Sequence, residues 1–178
     1  MNQQVYKDLA ERLDRLPNGY PQTASGVELK LLEKLFSPDE ARIAAIMNLE
    51  RESAEAIAAR LKIDPKTASQ HLKQMVRKGL IRFARVERQL HFGLMPFVVG
   101  FYEEQLPHMD RELAQLFEEY FQETEGGVAR DPVSVHRVIP VEEAIPYEVE
   151  IFPYERASAL IENAKAWGVR DCICRVQQ

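Results

Sequence analysis

Apolar residues in this chain recur mostly at spacings of three and four, the period of a helix packed along one side. Residues Gln4 to Leu16 follow that period and predict one amphipathic helix. "LPNGYPQTASG" breaks it, and Pro17, Gly19 and Pro21 mark a turn. In "VELKLLEKLF" the residues Val27, Leu31, Leu32 and Leu35 return to one helical face. Ser37 is a natural N-cap and Pro38 suits a first turn, so a further helix is predicted over Asp39 to Leu49, carrying Ala41, Ile43, Ala44, Ile46 and Met47.

Ser53 opens the next helix, "SAEAIAARLKI", with Ala54, Ile57, Ala58 and Leu61 inward. Asp64 then caps "PKTASQHLKQMVRKG", with Pro65 at its first position, Leu72, Met75 and Val76 inward, and Gly79 as the stop. The period changes to two in "LIRFARVERQLHFGL". Ile81, Phe83 and Val86 are expected on one side and Arg82, Arg85 and Arg88 toward the other, in a β-hairpin turning near Val86 to Arg88. Pro96 to Thr124 is expected to be helical with a break near Pro107. Within it Leu106, Met109, Leu113, Leu116, Phe117 and Tyr120 keep helical spacing. Gly126, Gly127, Asp131 and Pro132 mark a linker. "SVHRVIPVE" and "YEVEIFP" read as strands, Pro140 confining the first to an edge or an end. "YERASALIENAKAWGV" reads as a helix with Ala157, Leu160, Ile161 and Ala164 inward and Gly168 as its stop.

These elements predict an α+β chain, mainly α, in four segments. Residues 1–36 form an N-terminal helical segment, 37–95 a helix-turn-helix with a hairpin wing, and 96–126 an acidic helical segment. Residues 127–178 form a small α/β segment. No apolar run approaches the ~20 residues of a membrane span. The N-terminus is charged and has no apolar signal region, so a cytoplasmic protein is expected. Two cysteines build no disulfide framework, in keeping with a reducing compartment.

Charge changes the picture more than composition does. The whole chain carries −5, which argues against indiscriminate coating of nucleic acid. Between Leu61 and His91, however, eight cations (Lys62, Lys66, Lys73, Arg77, Lys78, Arg82, Arg85 and Arg88) face two acids, Asp64 and Glu87. Between Phe101 and Glu125 eight acids face Arg111 alone. Two solvated helix faces would also produce this division; an oriented approach to a polyanion is the sharper reading.

"SAEAIAARLKIDPKTASQHLKQMVRKGLI" resembles the bacterial winged-helix regulators of the arsenic-repressor and multiple-antibiotic-resistance-repressor type. The match covers about a third of the chain. It implies a second helix that enters the major groove with its N-terminal part against the bases. Lys66, Thr67, Ser69 and Gln70 are then placed to reach base edges, with Lys73 and Arg77 nearer the phosphates. Arg82, Arg85 and Arg88 would follow the backbone or the minor groove from the wing. Double-stranded DNA is the expected partner; the apolar stripe of the 96–126 segment would either join a homodimer, setting two recognition helices about one DNA turn apart, or pack on the chain's own core. The alternative is a protein-docking module of an iron–sulfur redox protein, whose basic face meets an acidic redox partner instead of phosphate. Catalysis has little to stand on, since no nucleophile–base arrangement, phosphate loop or metal-binding helix motif is present.

The only cysteines, Cys172 and Cys174, stand one residue apart in "DCICRVQQ". As an extended segment they would point to one face, ~6–7 Å apart. Arg170 and Arg175 nearby would favour thiolates. A metal site completed across a dimer, a redox pair and two incidental thiols all remain open. The stretches "LPNGYPQTASGVELKLLEKLFSPDEA" and "HRVIPVEEAIPYEVEIFPYERASALIENAKAWGVRDCICR" resemble anaerobe-type proteins that join an N-terminal winged helix to a C-terminal iron–sulfur module. That resemblance implies that Cys172 and Cys174 are the first cluster ligands and that the rest lie downstream. The chain would then be a piece of a longer protein, and metal-free as it stands.

Overall fold

A computed structural model describes residues 3–16, 18–125 and 153–178. Both strand readings between Ser134 and Pro153 lie almost wholly outside the described residues. The chain divides into two compact units, Met1–Val135 with Cys172–Gln178, and His136–Asp171. The described part is mostly helical with one small antiparallel sheet, an α+β architecture dominated by α. None of its helices is long and apolar enough to cross a membrane.

In the first unit, α1 (Gln3–Asp14), α2 (Val27–Leu35) and α3 (Pro38–Ala45) enclose one side of the core. Tyr6, Leu9, Ala10 and Leu13 form the buried stripe of α1, at the spacing the sequence predicts. Ser37 caps α3 in a reciprocal box: its hydroxyl accepts from Glu40 N, and Glu40 Oε2 accepts from Ser37 N at 2.8 Å. Helix α3 ends at Ala45, well short of the expected Leu49. The carbonyls beyond it are required elsewhere. Arg12 Nε donates to Met47 O at 3.0 Å, and Leu94 N donates to Asn48 O at 2.8 Å.

The next elements are β1 (Glu52–Ser53), α4 (Ala54–Leu61), α5 (Pro65–Arg77), β2 (Ile81–Val86) and β3 (Gln89–Leu94). The sheet order is β1-β3-β2, all antiparallel, with Phe83 opposite Phe92 and Arg85 opposite Leu90. The expected hairpin is present, but its sides are not those expected: the unbroken register puts Arg85 on the face of Ile81 and Phe83, and Val86 on the other face with Arg82. The two-residue β1 is too short for any periodicity and adds a third strand that the pattern did not announce. Glu87 and Arg88 make the hairpin turn, both left-handed, at φ 46° and 69°. Gly79 is also left-handed, and a Cβ there would stand 2.7 Å from Glu104 Cβ. Only glycine lets the end of α5 pack so close to the following segment.

The long helix expected over Pro96 to Thr124 is interrupted. Val98 and Val99 leave helical backbone, a 3-10 stretch covers Glu103–His108, and α6 (Arg111–Glu123) starts anew at its cap Asp110. Asp110 Oδ1 accepts from Leu113 N at 2.8 Å, so the break falls at Met109–Asp110, just past Pro107. Leu113, Phe117 and Tyr120 are buried against the chain's own core. The acidic helix therefore uses its apolar stripe internally. Helix α8 (Ile173–Gln177) packs on α6 and the 3-10 stretch.

In the second unit, α7 (Tyr154–Glu162) forms but ends well short of the expected stop at Gly168, and Ala157, Leu160, Ile161 and Ala164 are exposed, not inward. Helical spacing makes a stripe; it does not supply a surface to cover it.

Two predictions follow from this architecture. Burial above all pushes the phenols of Tyr20, Tyr120 and Tyr102 far above the ordinary tyrosine value of about 10. The folded state then holds protons that the unfolded state releases near pH 10, so stability is complete below that pH and falls as pH rises above it. In an absorbance titration these three phenols should ionise only together with loss of near-ultraviolet circular dichroism. At the hairpin tip, Glu87→Asn with Arg88→Gly suits a turn whose central residues are both left-handed. It should stabilise by about 1 kcal/mol, a Tm rise of roughly 2–4 °C in thermal unfolding.

Candidate nucleic-acid interface

Helix α5 is built by its ends. Asp64 caps it, accepting from Thr67 N at 2.9 Å and from the Thr67 hydroxyl at 3.1 Å. Pro65 occupies the first turn, where its missing N–H costs nothing. Ala68, Leu72 and Met75 are buried. Lys66, Gln70, Lys73 and Arg77 therefore line the opposite, exposed side at successive steps of four, three and four. Ser69 flanks that stripe half-buried.

The expected cations divide into two groups. Lys66, Lys73, Arg77, Arg85 and Arg88 are exposed and form no ion pair with a described residue. Arg82 is half-buried and donates to the Leu49 carbonyl, which removes it from the free charge of the hairpin. Thr67 is exposed, but its hydroxyl is held by Asp64. Lys78, also in the basic segment, is bound to Glu40 at 2.5 Å.

That Lys78–Glu40 pair is where sequence reasoning saw least. Glu40 is fully buried, and its Oε1 has no hydrogen-bond partner. Its Oε2 accepts from Lys78 Nζ and from Ser37 N, so one carboxylate joins the start of α3 to the end of α5. Gln105 holds the same end from the other side, its amide donating to Lys78 O and Phe101 O, both at 3.1 Å. The capping pattern Ser37-x-x-Glu40 is legible in the sequence; the reach of Lys78, 38 residues on, is not. His71 is half-buried beside a small cavity of about 140 Å³ that Ile43, Leu61 and Ile63 also line. His91 is half-buried on β3.

Cys172 and Cys174 are both free and exposed, but they do not share one extended segment. Cys172 is the N-cap of α8 and Cys174 lies inside it, so the expectation of one shared strand face is wrong. Both thiols nevertheless lie close enough to Tyr102 to help its burial raise the phenol, Cys174 the more strongly. Burial of Ile173 between them sets this arrangement. Tyr102 OH donates to Gln177 Oε1 at 2.9 Å, and Gln177 Nε2 donates to Glu118 Oε2 at 3.0 Å, which secures the helix. Two thiols are half the donors of a zinc or iron–sulfur site. Among the described residues no group of three or more His, Cys, Asp or Glu side chains could hold a metal ion.

Lys78→Met should leave the buried Glu40 carboxylate unpaired. The expected cost is about 2–3 kcal/mol, read by urea unfolding and held below the full cost of an orphaned ion by Lys78's 36% exposure. Adding Glu40→Gln should recover part of it; no recovery would mean that packing, not charge, is what Lys78 supplies.

No family model, curated protein or solved structure matches the chain.

Proposed function

We propose that this chain is a winged helix-turn-helix protein that binds double-stranded DNA as a transcription regulator. In this reading α4 and α5 are the helix pair, α5 reads the major groove, and β2–β3 is the wing. The observation that carries it is the exposed stripe of Lys66, Gln70, Lys73 and Arg77, whose cations make no ion pair with a described residue. Elsewhere Lys34 is matched by Asp110 at 3.1 Å and Lys78 by the buried Glu40. A row of unmatched ones is suited to an external polyanion.

Lys66 and Gln70, near the start of α5, suit guanine and adenine edges respectively. Lys73 and Arg77 on the helix, with Arg85 and Arg88 on the wing, suit phosphates. Arg82 and Thr67 contribute to the architecture first, given their internal bonds. A homodimer belongs to the proposal as the means of spanning two half-sites. Its interface would need a surface other than the buried stripe of α6. Cys172 and Cys174 enter only as exposed attachment points for a thiophilic ligand. Their helix is anchored to Tyr102, next to the 3-10 stretch whose Gln105 holds the end of α5.

Fluorescence anisotropy on pooled genomic duplexes across salt tests the reading. Binding should weaken steeply with salt, with a slope that reports several phosphate contacts. Lys66→Glu, Lys73→Glu and Arg77→Glu together should abolish binding while leaving the Tm within about 2 °C, since exposed surface substitutions move stability little. If the wild-type chain binds no duplex even at low salt, it is not a DNA-binding regulator, and binding to an acidic redox partner becomes the reading to pursue.

A further inference from the structure

Phe83 is exposed at 53%, whereas every other Phe and Tyr described in the Met1–Val135 unit is buried or half-buried. The register explains where it stands. Ile81, Phe83 and Arg85 share one face of the hairpin with their partners Leu94, Phe92 and Leu90. At the base of that face Ile81, Phe92 and Leu94 are buried in the core. Leu90 is half-buried and still packs against the core, whereas Phe83 and, toward the tip, Arg85 are exposed. Phe83 therefore prolongs an apolar surface beyond anything that covers it.

A core does not need the ring there, because its partner Phe92 already fills the buried position. Phosphate does not need it either, since an apolar ring gains nothing against a charged backbone. The surroundings select the occupant. Arg85 and Arg88 lie just beyond Phe83 toward the tip, exposed and without an ion pair to a described residue. A surface that combines unmatched guanidinium groups with a protruding aromatic ring is complementary to a polyanion that also has apolar planes. Stacked base pairs are such a surface.

We propose that Phe83 is a wedge: it enters the minor groove of duplex DNA and partly opens one base step, while Arg85 and Arg88 hold the flanking backbone. The proposal rests on the DNA-binding reading above and adds a source of specificity to it. Pyrimidine–purine steps, above all TA and CA/TG, unstack most easily, so the hairpin selects them without hydrogen-bonding to a base edge.

The test uses the full chain and duplexes of about 30 base pairs that carry 2-aminopurine at a TA step or within a stiff A-tract. Anisotropy reads affinity, and 2-aminopurine emission reads unstacking. The wild type should raise emission at the TA step and not in the A-tract. Phe83→Ala should lose about tenfold in affinity for the TA duplex and lose the emission rise. It should keep the salt slope, because no charge is removed. Phe83→Trp should retain both signals. Thermal unfolding of each variant separates these effects from loss of fold. If Phe83→Ala binds and unstacks like the wild type, while the triple Glu variant of α5 fails to bind, the wedge is wrong and the DNA reading stands. If the wild type binds no duplex at low salt, both fall, and Phe83 belongs to a protein partner.

Discussion

The first unit depends on the burial of one ring, Phe97. Its centroid lies within 6 Å of those of Tyr20, Phe101, Tyr102, Phe117, Tyr120 and Phe121. Those rings come from the turn after α1, from the segment beyond the hairpin and from α6, so one cluster joins three distant stretches of chain. Aromatic pairs at this range contribute about 0.5–1.5 kcal/mol each beyond their buried area. The phenols in the cluster keep their polar ends satisfied. Tyr20 OH donates to Glu28 O at 2.8 Å, and Tyr120 OH donates to Pro21 O at 3.1 Å. The interruption after Pro96 follows from the same demand. A continuous helix there could not turn Phe97, Phe101 and Tyr102 into a single cluster with α6 and still bring Gln105 to the end of α5.

That arrangement gives α5 a rigid support. Its N-terminal end is fixed locally by Asp64, and its C-terminal end is fixed by partners remote in sequence, Glu40 and Gln105. What remains outside is polar and cationic. The same division runs through the basic residues of the 61–91 segment. Lys78 and Arg82 are consumed by the architecture, while Lys66, Lys73, Arg77, Arg85 and Arg88 face solvent. A count of charge cannot separate these two groups, because an ion pair across 38 residues has no signature in spacing.

Much of the helical framework was legible because it is local. Caps at Ser37, Ser53 and Asp64, the glycine at 79 and the turn of the hairpin each act over a few residues. The readings that failed were those that needed a partner. The stripe on α7 supplied periodicity without a covering surface, and its Leu160 and Ile161 stay exposed. The Cys-x-Cys element looked extended by its spacing, yet Ile173 needed to be buried, and a short helix on α6 and the 3-10 stretch accomplished that.

By itself, then, the sequence determined the order of the helices and the hairpin, the solvent-facing stripe of α5 and the division of charge. All of these follow from residue periodicity and from caps acting within one turn. Tertiary structure alone decided which cations remain available, why α3 and the 96–108 segment break where they do, that β1 joins the sheet, and that Phe83 protrudes while Phe92 does not. Each of those outcomes depends on a group far along the chain reaching a particular carbonyl, carboxylate or ring, and only the packed core brings such groups together.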